Sequence, residues 1–281
     1  MAADVTGAEY WDRRAEAWAN REGLVERFTE DLGRAGIDAL APSAGERVLD
    51  VGCGPGLTTI DLAGRVGPRG SAVGLDISPA MVVAAEQRAA TGGIANARFV
   101  VHDLEAAPFE GGFDAVYSRF GVMFFARPER AFANLVASLR AGGRFAAVVW
   151  ADPGENPWMA VTNLAAAGPL GAELTLPDPG APGPFSLADP ERVTGLLEAA
   201  GLVDVAVDPV GGHLELPVDD APFEVASMLH IGPLGEAFAA ADQGRRAAAV
   251  AAVLEAAEPF RVDRGWELPG RALVATGARP D

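Results

Sequence analysis

Residues 47–56 read R-V-L-D-V-G-C-G-P-G, and the fold turns on how that stretch is read. Val48, Leu49 and Val51 form a short apolar run, the pattern of a central parallel strand covered on both faces. Gly52, Gly54 and Gly56 follow at alternate positions, and glycine permits positive φ and close approach of a ligand to the backbone. The amides beyond such a turn open a helix, expected over 57–66, and point at whatever lies above the strand end. Asp50 precedes the glycines within the strand. A second strand, expected over 71–77, ends in Asp76, twenty residues past Gly56. An acid at that distance suits a ribose diol, whose two hydroxyls both donate to one carboxylate.

Two cofactor classes fit a strand, glycine turn, helix, strand and acid. A dinucleotide site reads G-x-G-x-x-G/A, but here Leu57 stands where the last small residue belongs. Asp50 would also set a negative charge beside a pyrophosphate, whereas that charge suits a cofactor with an amino group or a sulfonium. The stretch closely resembles motif I of the class I methyltransferases that use S-adenosylmethionine (SAM). The wider run V-L-D-V-G-C-G-P-G, G-L-D-I-S-P-A-M, V-V-H-D-L and F-D-A-V-Y-S-R-F is similar to that family in order and spacing, over residues 47–150.

The resemblance implies an α/β fold, a doubly wound, seven-stranded, mostly parallel sheet of Rossmann-like methyltransferase type with helical cap insertions. It implies SAM as cofactor and S-adenosylhomocysteine as product. By the same resemblance Gly52, Cys53 and Gly54 line the methionine part, Asp50 holds its amino group through water, and Asp76 takes the ribose hydroxyls. Ile77 and Met81 pack on the adenine, Asp103 meets its amino group, and Leu104 supplies the next amide. Ser118 and Arg119 stand where the family's backbone meets the methionine end. Tyr10, in a leading helix, belongs to a lid; the plain alternative is a helix packed on the domain.

Composition narrows the partners. The chain has 281 residues, 49% of them hydrophobic, ample for a core. A net charge of −17 speaks against nucleic acid, whose binding rests on Lys and Arg. All 22 basic residues are Arg, which removes Schiff-base chemistry on lysine. Cys53 is the only cysteine, so neither an internal disulfide nor a cysteine metal cluster can form, and no His pair stands at ligand spacing. No metal is expected. No basic-then-apolar leader and no apolar run of membrane length are visible, so the reading is a cytoplasmic protein without a membrane partner. A homodimer is left open.

The expected organisation is a helical lid over 1–45, a SAM-binding core over 46–150, and a remainder over 151–281 that completes the sheet. Residues 151–187 carry seven prolines and little periodicity, the mark of a functional cover or a linker. With about 211–260 they are expected as cap insertions above the strand ends. A strand over 203–209 is expected to meet a partner over 213–216, one helical stretch is expected over 234–257, and a last strand over 271–278.

Arg119 to Phe125, R-F-G-V-M-F-F, should lie at the mouth of the site. Phe120, Met123 and Phe124 read as an apolar substrate wall or as core filling; Trp150 and Trp158 extend it. Candidate catalytic groups are Arg119, free to hold a carboxylate or phenolate, and His213 or His230 as a base. Either histidine also reads as an ordinary surface or core residue. The expected activity is methyl transfer to a small, partly apolar organic molecule, quinone-like or a specialised metabolite. The alternative is a SAM-binding enzyme of the same fold that catalyses a rearrangement or cyclisation. A NAD-dependent oxidoreductase is disfavoured by Leu57 and Asp50.

Overall fold

The computed structural model describes residues 5–20, 22–174 and 180–281. Strand β1 (Arg47–Val51) is flanked by parallel neighbours, β2 (Ser71–Asp76) opposite Val48 at Ala72 and β4 (Phe113–Arg119) opposite Val48 at Ala115. β3 (Ala97–Val101) joins β2, and β5 (Leu139–Trp150) joins β4, both parallel. β8 (Gly265–Ala278) and β6 (Val203–Pro217) complete the sheet antiparallel, in the order β3-β2-β1-β4-β5-β8-β6. The path has seven strands, the number expected; a two-residue β7 (Arg261–Val262) pairs with β8 beside it.

The strand order reverses between β1 and β4. Right-handed crossovers therefore send the connecting helices to opposite faces and leave a crevice above the carboxyl ends of these two strands. Helix α3 (Leu57–Val66) packs on β1 and β2, α4 (Pro79–Thr91) on β2 and β3, and α5 (Pro128–Ser138) on β4 and β5. The start of α4 is set by Ser78, whose hydroxyl accepts from Met81 N at 3.2 Å, with Pro79 in the first helical position. Ahead of the sheet lie α1 (Ala8–Asn20) and α2 (Glu22–Leu40), and α2 packs across β4, β5, β6 and β8. The interior is one apolar core in which Leu49, Phe113 and Phe145 are fully buried, each contributing roughly 1.5–3 kcal/mol.

Several expectations are corrected. The proline-rich segment is not an irregular cover: α6 (Pro157–Leu170) runs through it, packed on β8 and on the later helices. Its sequence, PWMAVTNLAAAGPL, is apolar nearly all round, so no amphipathic stripe betrays it. Residues 175–179 of that segment, and 1–4 and 21 of the leading region, lie outside the described residues. Residues 213–216 are no partner to 203–209. They continue the same strand through Gly211 and Gly212, because the equally long β8 offers Arg271 and Gly270 opposite. Helix α7 (Pro190–Ala199) precedes that strand, and α8 (Ala221–Ile231) follows it. The stretch over 234–257 splits into α9 (Gly235–Ala240) and α10 (Gln243–Ala256), where Asp242 caps the second helix by accepting from Arg245 N at 2.9 Å. Among the described residues no helix is long and apolar enough to cross a membrane.

Candidate cofactor and substrate cleft

Above the carboxyl ends of the parallel strands opens a cleft of about 1710 Å³. A pocket for one drug-sized molecule takes roughly 300–1,000 Å³, so two such molecules can lie side by side here. One wall is the glycine turn. Gly52 N and Cys53 N donate to Leu75 O at 2.8 and 2.9 Å, which locks the turn to β2. Gly52 and Gly54 take φ of 71° and 52°. A Cβ at Gly52 would meet Gly121 Cα at 2.8 Å, whereas one at Gly54 would meet nothing within 4 Å and would stand in the open cleft.

Asp76 lines this wall and accepts from Gly54 N and Ser78 N, each at 2.9 Å, one on each carboxylate oxygen. Two such bonds leave lone pairs for two more donors. Burial pushes its carboxyl upward, opposed by the amides of Ser78, Gly54 and Ile77, while Asp12 adds to the rise. Ile77, Met81, Asp103 and Leu104 line the same side of the cleft; Asp103 Oδ1 also accepts from Glu105 N at 2.8 Å, closing its own turn.

Other expected residues lie beneath the surface of the site. Asp50 is 1% exposed and accepts from Thr59 Oγ1 at 2.6 Å. Burial pushes its pKa to about 6, against the Thr59 bond and Arg119, with Asp76 raising it further. The Cys53 side chain is buried, and burial holds its thiol well above the usual range, so no thiolate is offered. Ser118 is fully buried, its Oγ donating to Val51 O at 2.8 Å within the sheet, and, contrary to expectation, it does not line the cleft.

Arg119 was expected free, and it is not. It lines the cleft, yet its guanidinium donates to both oxygens of Glu26 on α2, at 2.9 and 3.0 Å. Burial works against its charge, but the Glu26 carboxylate outweighs burial and the net movement is upward. The arginine reaches Glu26 by passing close over Gly33, where a Cβ would meet its Cδ at 2.6 Å. Both candidate bases are also displaced from their expected place. His213 is exposed on β6 opposite Pro269, and His230 sets its Nδ1 3.0 Å from Ala226 O and its ring on Phe238. Neither lines the cleft.

The second wall is aromatic. Trp150 lies between Phe120, stacked at 4.2 Å, and Phe28 of α2, stacked at 5.3 Å. Trp158 closes on both Trp150 and Phe28, at 5.1 and 4.8 Å. Phe120 holds φ at 58°, a left-handed conformation that costs a non-glycine roughly 1–3 kcal/mol. Phe124 meets Trp11 of α1 at 4.8 Å, and Met123 is buried behind them. Tyr10 lines the cleft from α1 as well. Two residues here carried no readable signal in the sequence, Phe28 and Glu26, because only the packing of α2 across the sheet brings them to the strand ends.

One further contact fixes α1. Asp12 Oδ1 accepts from Ser78 Oγ and from Ala80 N, the latter at 3.1 Å, so α1 caps the start of α4 from outside.

A family profile described as "Methyltransferase domain" matches residues 48–143. Aklanonic acid methyltransferase DauC of a Streptomyces species is 38% identical over 123 residues, 43% of this chain and 56% of that protein. The ubiquinone/menaquinone biosynthesis C-methyltransferase UbiE of Ectopseudomonas mendocina is 36% identical over 139 residues, 49% of this chain and 51% of that protein. The chain thus spans about half the length of the curated relatives it matches. Among solved structures, phosphoethanolamine N-methyltransferase 2 of Haemonchus contortus, in complex with S-adenosyl-L-methionine, superposes with a TM-score of 0.59 at 16% identity, over 97% of this chain and 58% of that one. The YcgJ protein of Bacillus subtilis gives 0.57 at 20% identity, over 87% and 96%. At these identities the structural likeness is one of fold.

Proposed function

We propose that this chain, which carries a class I methyltransferase domain, transfers a methyl group from SAM to a small, partly apolar organic molecule. The carrying observation is the pairing of Gly54 and Asp76: an amide bonded to a carboxylate at 2.9 Å, with open cleft where a Cβ would stand. That arrangement fits a ribose held by the acid and a backbone laid against the amino-acid end. When bound, SAM supplies a sulfonium as leaving group, so the protein needs to position and to exclude water more than to activate.

In this reading Asp76 orients the ribose, and Ile77 and Met81 pack on the base. Asp50 sets a buried negative potential under the turn, and the cationic end of the cofactor favours its ionised form. Phe120, Trp150 and Trp158 present a flat apolar wall to the acceptor. Relatives named for aklanonic acid and for ubiquinone and menaquinone support an aromatic or quinone-like acceptor. A single buried thiol fits a reducing cytoplasm, and a homodimer is compatible with this reading.

The test is direct. Incubated with SAM and a panel of hydroxylated naphthalenes, quinols and anthraquinones, the protein should release S-adenosylhomocysteine only when an acceptor is present, with an acceptor product heavier by one methylene. Tight binding of both ligands without release of S-adenosylhomocysteine would favour the rearrangement or cyclisation alternative. No SAM binding by calorimetry would remove the proposal.

A further inference from the structure

The cleft holds no histidine base at 213 or 230 and no free guanidinium at Arg119, so the way an acceptor is gripped and ionised is left to other groups. Four arginines line the cleft among the described residues: Arg14, Arg119, Arg192 and Arg271. Arg119 is clamped by Glu26, Arg271 pairs with Glu155 at 2.8 Å, and Arg192 reaches Gly180 O at 3.4 Å. Arg14 is 7% exposed, its guanidinium lies 3.7 Å over the Tyr10 ring and donates to Tyr10 O at 3.4 Å, and among the described residues its carboxylate neighbour, Glu236, stands off at 3.8 Å. Among the described residues its Nε is buried without a hydrogen-bond partner, as is that of Arg192, but beside Arg14 the indole Nε1 of Trp18 is buried and unpartnered too. Both residues line the cleft, four positions apart on one face of α1. A buried donor without a partner costs about 1–3 kcal/mol, and two stand one helical turn apart on the cleft-lining face of α1.

The orientation of α1 says which ligand would be met. Asp12 turns toward the start of α4, on the cofactor side. Arg14 lies two residues on, about 200° around the helix, and looks toward Glu236 on α9, on the opposite side. The aromatic wall is adjacent, through Trp11 on Phe124.

Resting on the methyltransferase reading, we propose that Arg14 and Trp18 form an oxyanion clamp for the acceptor: the substrate is a flat apolar molecule bearing an acidic oxygen, carboxylate, phenolate or enolate, that arrives already ionised. The clamp replaces a general base by stabilising the anion, and in a protein of net charge −17 it supplies a local cation that favours an anionic substrate.

The experiment compares calorimetric binding of 1-hydroxy-2-naphthoate and of its neutral methyl ester, with the protein saturated by S-adenosylhomocysteine. The wild type should prefer the acid by roughly tenfold or more, the scale of a charge-assisted hydrogen bond. Arg14→Met should erase the preference and Trp18→Phe should reduce it, while Arg14→Lys, which keeps the charge but not the fork, retains part of it. All three should bind S-adenosylhomocysteine within about threefold of wild type, less than the roughly 1.4 kcal/mol of one decade. Wild type that does not prefer the acid overturns the clamp. So does an Arg14→Met protein that keeps the preference, or one whose loss falls on S-adenosylhomocysteine instead, which would assign the arginine to the cofactor. If S-adenosylhomocysteine fails to bind wild type, the methyltransferase reading falls; the acid and ester compared without it then decide the clamp alone.

Discussion

On the sheet side of the cleft, the turn at Gly52 hangs from Leu75 O, Asp76 is held by two amides, and strand register fixes every Cα. On the opposite side, α1, α6 and α8 present side chains, and they are held by side-chain contacts: Trp11 on Phe124, Asp12 on Ser78 and Ala80, and the helix-to-helix ion pairs of Arg27 with Glu224 and Arg14 with Glu236. A ligand that meets the first side is recognised by backbone geometry, which tolerates little change. A ligand that meets the second is recognised by rotamers, which can be exchanged one at a time. The two sides should therefore respond to substitution on different scales and in different observables.

Gly54→Val is the harshest way to break that contrast. It forces a branched residue to φ of 52° and puts its side chain into the open cleft, so calorimetric SAM binding should fall below detection. The fold should survive, at a cost of roughly 1–2 kcal/mol. Retained affinity would mean that the ligand does not lie along the turn.

Asp50 sharpens the contrast through pH. Its carboxyl titrates at about 6 when folded, against 3.8 unperturbed. Between those values the folded state keeps a proton the unfolded chain has released, so this group's contribution to stability falls as pH rises toward 6 and is level above it. The full swing is of the order of 3 kcal/mol. Asp50→Asn should thus gain in melting temperature relative to wild type from pH 4 to pH 7, in ligand-free protein. Parallel melting curves would show that the burial of Asp50 is relieved in solution.

Asp76→Ala should weaken SAM by roughly 1.5–3 kcal/mol through lost charge-assisted bonds, with S-adenosylhomocysteine weakened equally, because both share the ribose. Trp158→Ala acts on the other side. Acceptor turnover should drop by about tenfold, on the scale of one lost aromatic contact, while SAM affinity stays within about threefold. Equal damage to both ligands would dissolve the distinction between the two sides. Smallest of all, His213→Ala and His230→Ala should leave the pH–rate profile of methyl transfer unmoved, since neither ring reaches the cleft.

The same division explains what the chain discloses before folding. The turn, the two acids and the five parallel strands rest on local patterns: an apolar run, a glycine period of two, an N-cap before proline. These were readable, down to Asp76 facing the cleft. Arg119 looked free because its neutraliser, Glu26, lies 93 residues away in sequence. His213 was expected in a cap, on a strand partnering 203–209, but it lies on the same strand, which runs unbroken along the equally long β8. Helix α6 hid because a helix apolar on all sides carries no periodic signature. Arg14 was invisible as a candidate, since an unpaired buried nitrogen is a property of packing and not of sequence.

The capping of α4 by Asp12 has a kinetic meaning. Gly54 N bonds Asp76, Asp76 holds the amide of Ser78, and the hydroxyl of Ser78 bonds Asp12 on α1. A ligand seated on Asp76 thus lies directly beneath the fastening of the helix that carries Arg14 and Trp18. With that helix lifted, the first ligand can enter but the second has lost two of its contacts. With it fastened, Arg14 and Trp18 stand in place at the cleft and the second site is complete. Initial-rate patterns should accordingly be those of a compulsory sequence, SAM on first and S-adenosylhomocysteine off last. S-adenosylhomocysteine should compete with SAM alone, and Asp12→Ala should loosen that order toward a random one.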